Sequence, residues 1–117
     1  MPLRTPFIAL ALFTCAGCAF GSDPLEVVDP AAAPERPTWT QDVQPIMDYY
    51  CTTCHSPSGA LNVGVSLDTC DNTRRSFGSV WSTAADSKSM PPGGALRVSS
   101  YDLLILDRWH AQGATCD

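Results

Sequence analysis

Basic side chains, histidine and long apolar runs are all scarce in this 117-residue sequence. Seven Lys and Arg stand against twelve Asp and Glu, a formal net charge of −5. That balance lacks the basic footprint that nucleic-acid binding requires. Only two histidines are present, His55 and His110, so few imidazoles are available as ligands. The longest apolar run covers residues 7–13, far short of the roughly 20 residues that cross a bilayer as a helix. The sequence holds no internal repeat, no convincing strand pair, and no constellation of catalytic acid, base and nucleophile. Cysteine, by contrast, is plentiful at six, and 44% of residues are hydrophobic, which excludes global disorder. The length predicts one small domain.

The short apolar run belongs to a leader. Arg4 forms a minimal positive n-region, residues 7–13 the apolar centre, and small residues follow, so residues 1–18 read as a signal peptide. Ala16-Gly17-Cys18 resembles a bacterial lipobox, in which the cysteine is acylated and becomes the new N-terminus. The position three before that cysteine is Cys15 rather than the usual apolar residue, a departure from the pattern. The alternative is ordinary cleavage nearby and a soluble periplasmic product. Both readings place the chain in an oxidising, exported compartment, on the periplasmic side of a bacterial membrane, the outer membrane included. Removing Arg4 with the leader leaves six basic residues against twelve acidic, a net charge of −6. An acidic surface of that kind disfavours anionic membranes and suits a partner with a basic patch, or simply keeps the protein soluble.

Residues 19–37 read as a linker. Four prolines, three successive alanines and four acidic residues predict an extended, semi-rigid stretch with little to bury. The folded head is then residues 38–117. A chain that short makes a marginal core alone and needs a staple. Trp39, Val43, Ile46, Met47 and Tyr50 recur at three- and four-residue spacing and predict a helix from about Thr40 to Tyr50. Pro45 marks where its regular part begins, after a tight turn. One or two short helices are expected within residues 67–88, around Phe77, Val80 and Trp81. A final helix follows Ser99 or Ser100 as cap. Asp102 suits its first turn, Tyr101, Leu104, Ile105 and Trp109 form its stripe, and Gly113 its end. The head reads as all-α, with irregular loops.

Cys51-Thr52-Thr53-Cys54-His55 is a C-x-x-C-H sequence, the attachment signature for c-type haem. Two thiols must add to two vinyl groups on one side of a macrocycle, and two intervening residues on a helical turn give that separation. The next residue then aims an imidazole at the iron. A C-x-x-C pair also serves as a redox dithiol or as half of a zinc site completed by His55 and a later Cys or His. The dithiol reading lacks its usual βαβ context, and exported thiolates are poor candidates for zinc.

A second axial ligand has three candidates: Met47, Met90 and His110. Met47 precedes the motif too closely to reach the opposite haem face. Met90 opens Met90-Pro91-Pro92-Gly93-Gly94, where prolines stiffen the backbone and glycines let it turn, so a thioether can be held over the iron. Its alternative role is a gap-filling side chain in a surface turn. His110, next to Trp109 in the last helix, fits a surface or half-buried position better than bis-histidine ligation. Arg74, Arg75, Lys88 and Arg97 flank segments near the expected haem edge, and read best as solvated charges.

Residues 39–116 resemble the small monohaem cytochrome c domains of bacterial lipoproteins and planctomycete-type cytochromes. The resemblance rests on Asp42-Val43-Gln44-Pro45-Ile46, the C-x-x-C-H motif, Leu67-Asp68, Met90 to Gly94, and Trp109 to Ala114. It implies a class I-like cytochrome c fold, with first and last helices crossing around one covalent haem and Trp109 near the crossing. It also implies Met90 as the distal ligand. His110 departs from the family, which often has an aliphatic residue there.

Two cysteines remain once leader and motif are set aside, Cys70 and Cys116. In an oxidising compartment they are expected to form a disulfide, the alternatives being free thiols or a metal site. With His55 and Met90 both bound to iron there is no open site for a substrate, and the expected role is outer-sphere electron transfer between redox protein partners. The head would be held at a membrane through lipid at Cys18. Two other readings are a peroxidase-like haem enzyme, if Met90 dissociates, and a non-haem C-x-x-C redox or zinc lipoprotein.

Overall fold

A computed structural model describes residues 27–59, 64–93 and 96–117. The leader, Cys18 and the first part of the predicted linker lie outside them. Among the described residues there are three α-helices and no strand, so the all-α expectation holds.

The first helix begins as Pro45 dictates. Thr38 caps a π-helical turn, Trp39–Val43, by accepting the Gln41 amide, and its own amide donates to Asp42 Oδ2 at 2.7 Å. Helix α1, Gln44–Tyr50, follows with Pro45 in its first turn, where the missing N–H costs nothing. Trp39, Val43, Ile46 and Met47 are buried, the face that the spacing predicts. Helix α2, Cys70–Trp81, is capped by Thr69, whose hydroxyl accepts the Asn72 amide. Cys70, Thr73, Phe77 and Val80 form its buried stripe. Thr73 is fully buried, and its hydroxyl donates to the Leu67 carbonyl at 3.1 Å, so no polar atom is stranded. A second π-helical turn, Ser82–Asp86, continues from α2.

Helix α3, Ser100–Ala111, starts from Ser99, whose hydroxyl accepts the Asp102 amide at 3.0 Å. It stops at Gly113, where φ is +101°, a conformation open to glycine. Ile105, Leu106 and Trp109 are its buried residues, while Tyr101 and Leu104 lie half-buried against the core. Trp109 is the hub. It packs on Trp39 with ring centroids 5.7 Å apart and edge-on to Phe77 at 6.1 Å, and its indole N–H donates to the Thr115 carbonyl. One core thus draws on α2, α3 and the turn before α1. Cys70 and Cys116 are joined as a disulfide with a Cα–Cα distance of 5.7 Å, which pins the C-terminal tail to the start of α2. Its 46-residue separation corresponds to about 4 kcal/mol in the chain-entropy account.

The linker expectation needs correction. Residues 30–37 do not run free but lie on α3. Ala33 is 4% exposed and belongs to the core. Arg108 donates to three carbonyls, Pro30 at 2.9 Å, Ala33 at 2.8 Å and Pro34 at 3.1 Å. Tyr101 donates to the Ala32 carbonyl, and Gln112 to that of Glu35. Residues 101, 108 and 112 share one helix face. The prolines there reduce the strap's own donors but leave carbonyls, which this face reads.

Candidate functional site

Beyond α1 the backbone keeps winding. Cys51 and Thr52 both donate to the Met47 carbonyl, and Cys54 and His55 to that of Cys51. This turn sets Cys51, Cys54 and His55 along one wall of a cavity of about 360 Å³. The opposing segments come from elsewhere in the chain. Ser79, Val80, Thr83 and Ala84 arrive from the end of α2 and its π-helical turn. Met90, Pro91 and Pro92 arrive from the loop, and Val98 from the approach to α3. Tyr50, Val65 and Leu67 complete the lining. The wall is almost wholly apolar. No Arg or Lys belongs to it: Arg74 pairs with Asp71 at 2.6 Å, and Arg75 donates to Asn72 Oδ1.

The structure therefore brings Cys51, Cys54, His55 and Met90 together on one apolar cavity, although Met90 follows His55 by 35 residues. Met47 is excluded, being 1% exposed within the core. His110 does not line the cavity either, and stacks on Phe77 with centroids 4.1 Å apart and planes within 5°. In that stack the exposed ring of His110 covers the buried Phe77.

His55 Nδ1 lies 2.8 Å from the Val65 carbonyl. A carbonyl only accepts, so Nδ1 is the donor in this bond and Nε2 is the ring nitrogen left outside it. This is the arrangement that orients a metal-ligating imidazole. The Leu67 amide also donates to the His55 carbonyl at 2.7 Å, so the two segments are tied twice. Cys51 and Cys54 carry free thiols, half-buried. Burial pushes the Cys51 thiol up to about 11, opposite to the depressed value of a thiol–disulfide catalyst. Among the described residues no group of three or more His, Cys, Asp or Glu side chains gathers to hold a metal ion. Cys70 and Cys116, the later cysteines that a zinc site could draw on, are committed to each other.

Three contributors were not legible in the sequence. Gly59 folds back over the motif so closely that a Cβ there would sit 2.8 Å from the Thr53 carbonyl and 3.1 Å from Cys54 backbone atoms. The Val65 carbonyl orients His55. Thr83 holds the Met90 segment, accepting the Met90 amide on its carbonyl at 3.1 Å. Backbone partners leave no side-chain signature, so only the first of these, a glycine just past the motif, offered a clue. Gly94 lies outside the described residues.

No family model, curated protein or solved structure matches the chain.

Proposed function

We propose that the chain is an exported monohaem c-type cytochrome that carries electrons by outer-sphere transfer. The observation that carries the reading is the shared cavity. Two thiols at C-x-x-C spacing, an imidazole oriented through Nδ1 by the Val65 carbonyl, and a thioether from a distant loop all line one apolar space. Its volume of about 360 Å³ falls within the range of about 300–1,000 Å³ usual for small-molecule and cofactor sites.

In this reading Cys51 and Cys54 would hold a haem through thioether bonds, and His55 Nε2 and the Met90 sulfur would bind its iron. The group supplies one-electron chemistry, with a potential raised by His/Met ligation. The protein's own residues do the rest. Val65 fixes the His55 tautomer through its carbonyl. Leu67, Val80 and Val98 exclude water and lower the local dielectric. Tyr50 forms a wall whose hydroxyl is turned away to Asp102. The fold would be class I-like, with its first and last helical segments meeting beside one covalent haem. Trp39 against Trp109 supports that, since the two rings join the turn before α1 to α3.

Export to the periplasmic side of a membrane, with lipid at Cys18, is part of the same proposal. The Cys70–Cys116 disulfide supports an oxidising compartment. The acidic balance fits a redox partner with a basic docking patch.

Haem staining after denaturing electrophoresis tests the covalent bond, and a colourless band rejects it. A Met90→Ala variant is expected to lose the native ferric spectrum. An unchanged spectrum would rule out Met90 as ligand. Rapid carbon monoxide binding by the ferrous wild-type protein would favour the enzyme reading.

A further inference from the structure

The end of α2 changes helical register just where the Met90 loop begins. The Ser87 amide donates to the Ser82 carbonyl at 2.9 Å, five residues back. In an α-helix it would bond four residues back, to Thr83. The wider register leaves the Thr83 carbonyl for another donor, and the Met90 amide takes it at 3.1 Å. The Thr83 hydroxyl donates back to the Ser79 carbonyl at 2.8 Å and to that of Val80 at 3.2 Å. It satisfies carbonyls at the point where the ladder widens. A π-helical segment of this kind often marks a functional site.

We propose that Thr83 is the positioning residue for the Met90 thioether. Its hydroxyl stabilises the π register, and that register frees its carbonyl to hold the Met90 backbone. A return to α register would bring the Ser87 amide onto the Thr83 carbonyl, in competition with Met90 and beside the Ser87 hydroxyl that already donates to it at 3.5 Å. The Met90 bond anchors the backbone from which the Met90 side chain reaches the cavity. The inference rests on Met90 as the distal ligand.

Amide hydrogen exchange on the full-length protein tests the clasp without reference to haem. The Met90 amide is expected to be protected in the wild-type protein. In Thr83→Val, which keeps the shape and removes the hydroxyl, it should exchange about tenfold faster, the scale of one lost hydrogen bond. Thr83→Ser should restore protection. In the haem-loaded protein, Thr83→Val should weaken the ferric thioether-to-iron absorption band and let imidazole displace the ligand at lower concentration, with Thr83→Ser again restoring both. A Met90 amide that exchanges freely in the wild-type protein overturns the proposal, whether or not the valine variant folds. So does a folded valine variant with unchanged exchange and unchanged imidazole affinity. A wild-type spectrum without the thioether band would reject Met90 as ligand, while the exchange result still judges the clasp.

Discussion

The Tyr50 hydroxyl donates to the Asp102 carboxylate at 2.9 Å, joining the last residue of α1 to the first turn of α3. The same oxygen accepts the Ser99 amide at 3.4 Å, and Ser99 in turn donates to Asp102 at 2.8 Å. Helix cap and cavity wall are therefore one network. Tyr50→Phe is expected to lower stability by about 1 kcal/mol, the net worth of such a bond. Burial first, and the bond to Asp102 second, raise the Tyr50 phenol above its ordinary 10.0. The protonated phenol is thus favoured by folding. Its contribution is complete below pH 10 and fades as the pH rises through the folded value. Denaturant melts across that alkaline range should show a loss in the wild-type protein that is smaller in Tyr50→Phe.

Gly59 closes over the C-x-x-C-H turn at a distance that leaves no room for a side chain. The atoms it would meet are backbone and cannot swing aside. Gly59→Ala should displace the turn and cut the yield of covalently haem-loaded protein several-fold. The yield is read from haem stain relative to total chain. An equal ratio would mean that the loop shifts at no cost to the motif.

Arg108 holds residues 30–34 through three carbonyls. Arg108→Ala is expected to cost about 2 kcal/mol, the range for hydrogen bonds to a charged group. It should also expose residues 27–37 to proteolysis before the helices are cut. Cleavage that starts elsewhere would show that the strap is not held by this side chain.

His110 lies flat on Phe77 rather than toward the cavity. His110→Ala should leave the visible spectra of both oxidation states unchanged and shift the melting temperature by only a few degrees, as expected for loss of about 0.5–1.5 kcal/mol of ring contact. A changed ferric spectrum would return His110 to the list of ligands.

Reducing the Cys70–Cys116 bond should destabilise the head by about 4 kcal/mol if the chain-entropy account applies. Urea melts of Cys70→Ser/Cys116→Ser against the parent measure this. Loss of less than about 1 kcal/mol would mean that Trp109, through its bond to the Thr115 carbonyl, already holds the tail.

Patterning rules reached most of the helical architecture because its signals are local. Pro45 placed the start of α1, Ser99 and Asp102 that of α3, and Gly113 its end. The last helix shows where such reading weakens. Tyr101 falls within the apolar stripe, yet Leu106 is the more deeply buried, and the Tyr101 hydroxyl donates to the strap at the Ala32 carbonyl. The strap itself was misjudged for a related reason. Prolines and alanines signal an extended chain, and residues 30–37 do contain only a short 3₁₀ turn, Pro30–Ala32. What composition cannot reveal is that a distant arginine reads the carbonyls of that extended chain. The four cavity groups were legible as residue types, since thiol, imidazole and thioether carry their chemistry in the side chain. Val65 and Thr83 were not, because they act through backbone carbonyls that every residue possesses.

The docked strap also bears on reach. If lipid is attached at Cys18, the leash from anchor to head is not the stretch up to Thr38 but only the twelve residues from Cys18 to Pro30. Fully drawn out that is about 40 Å, against about 70 Å with the strap undone. Arg108 would then act as a length setting, keeping the head close to the lipid surface and narrowing the partners it can meet to those of low profile.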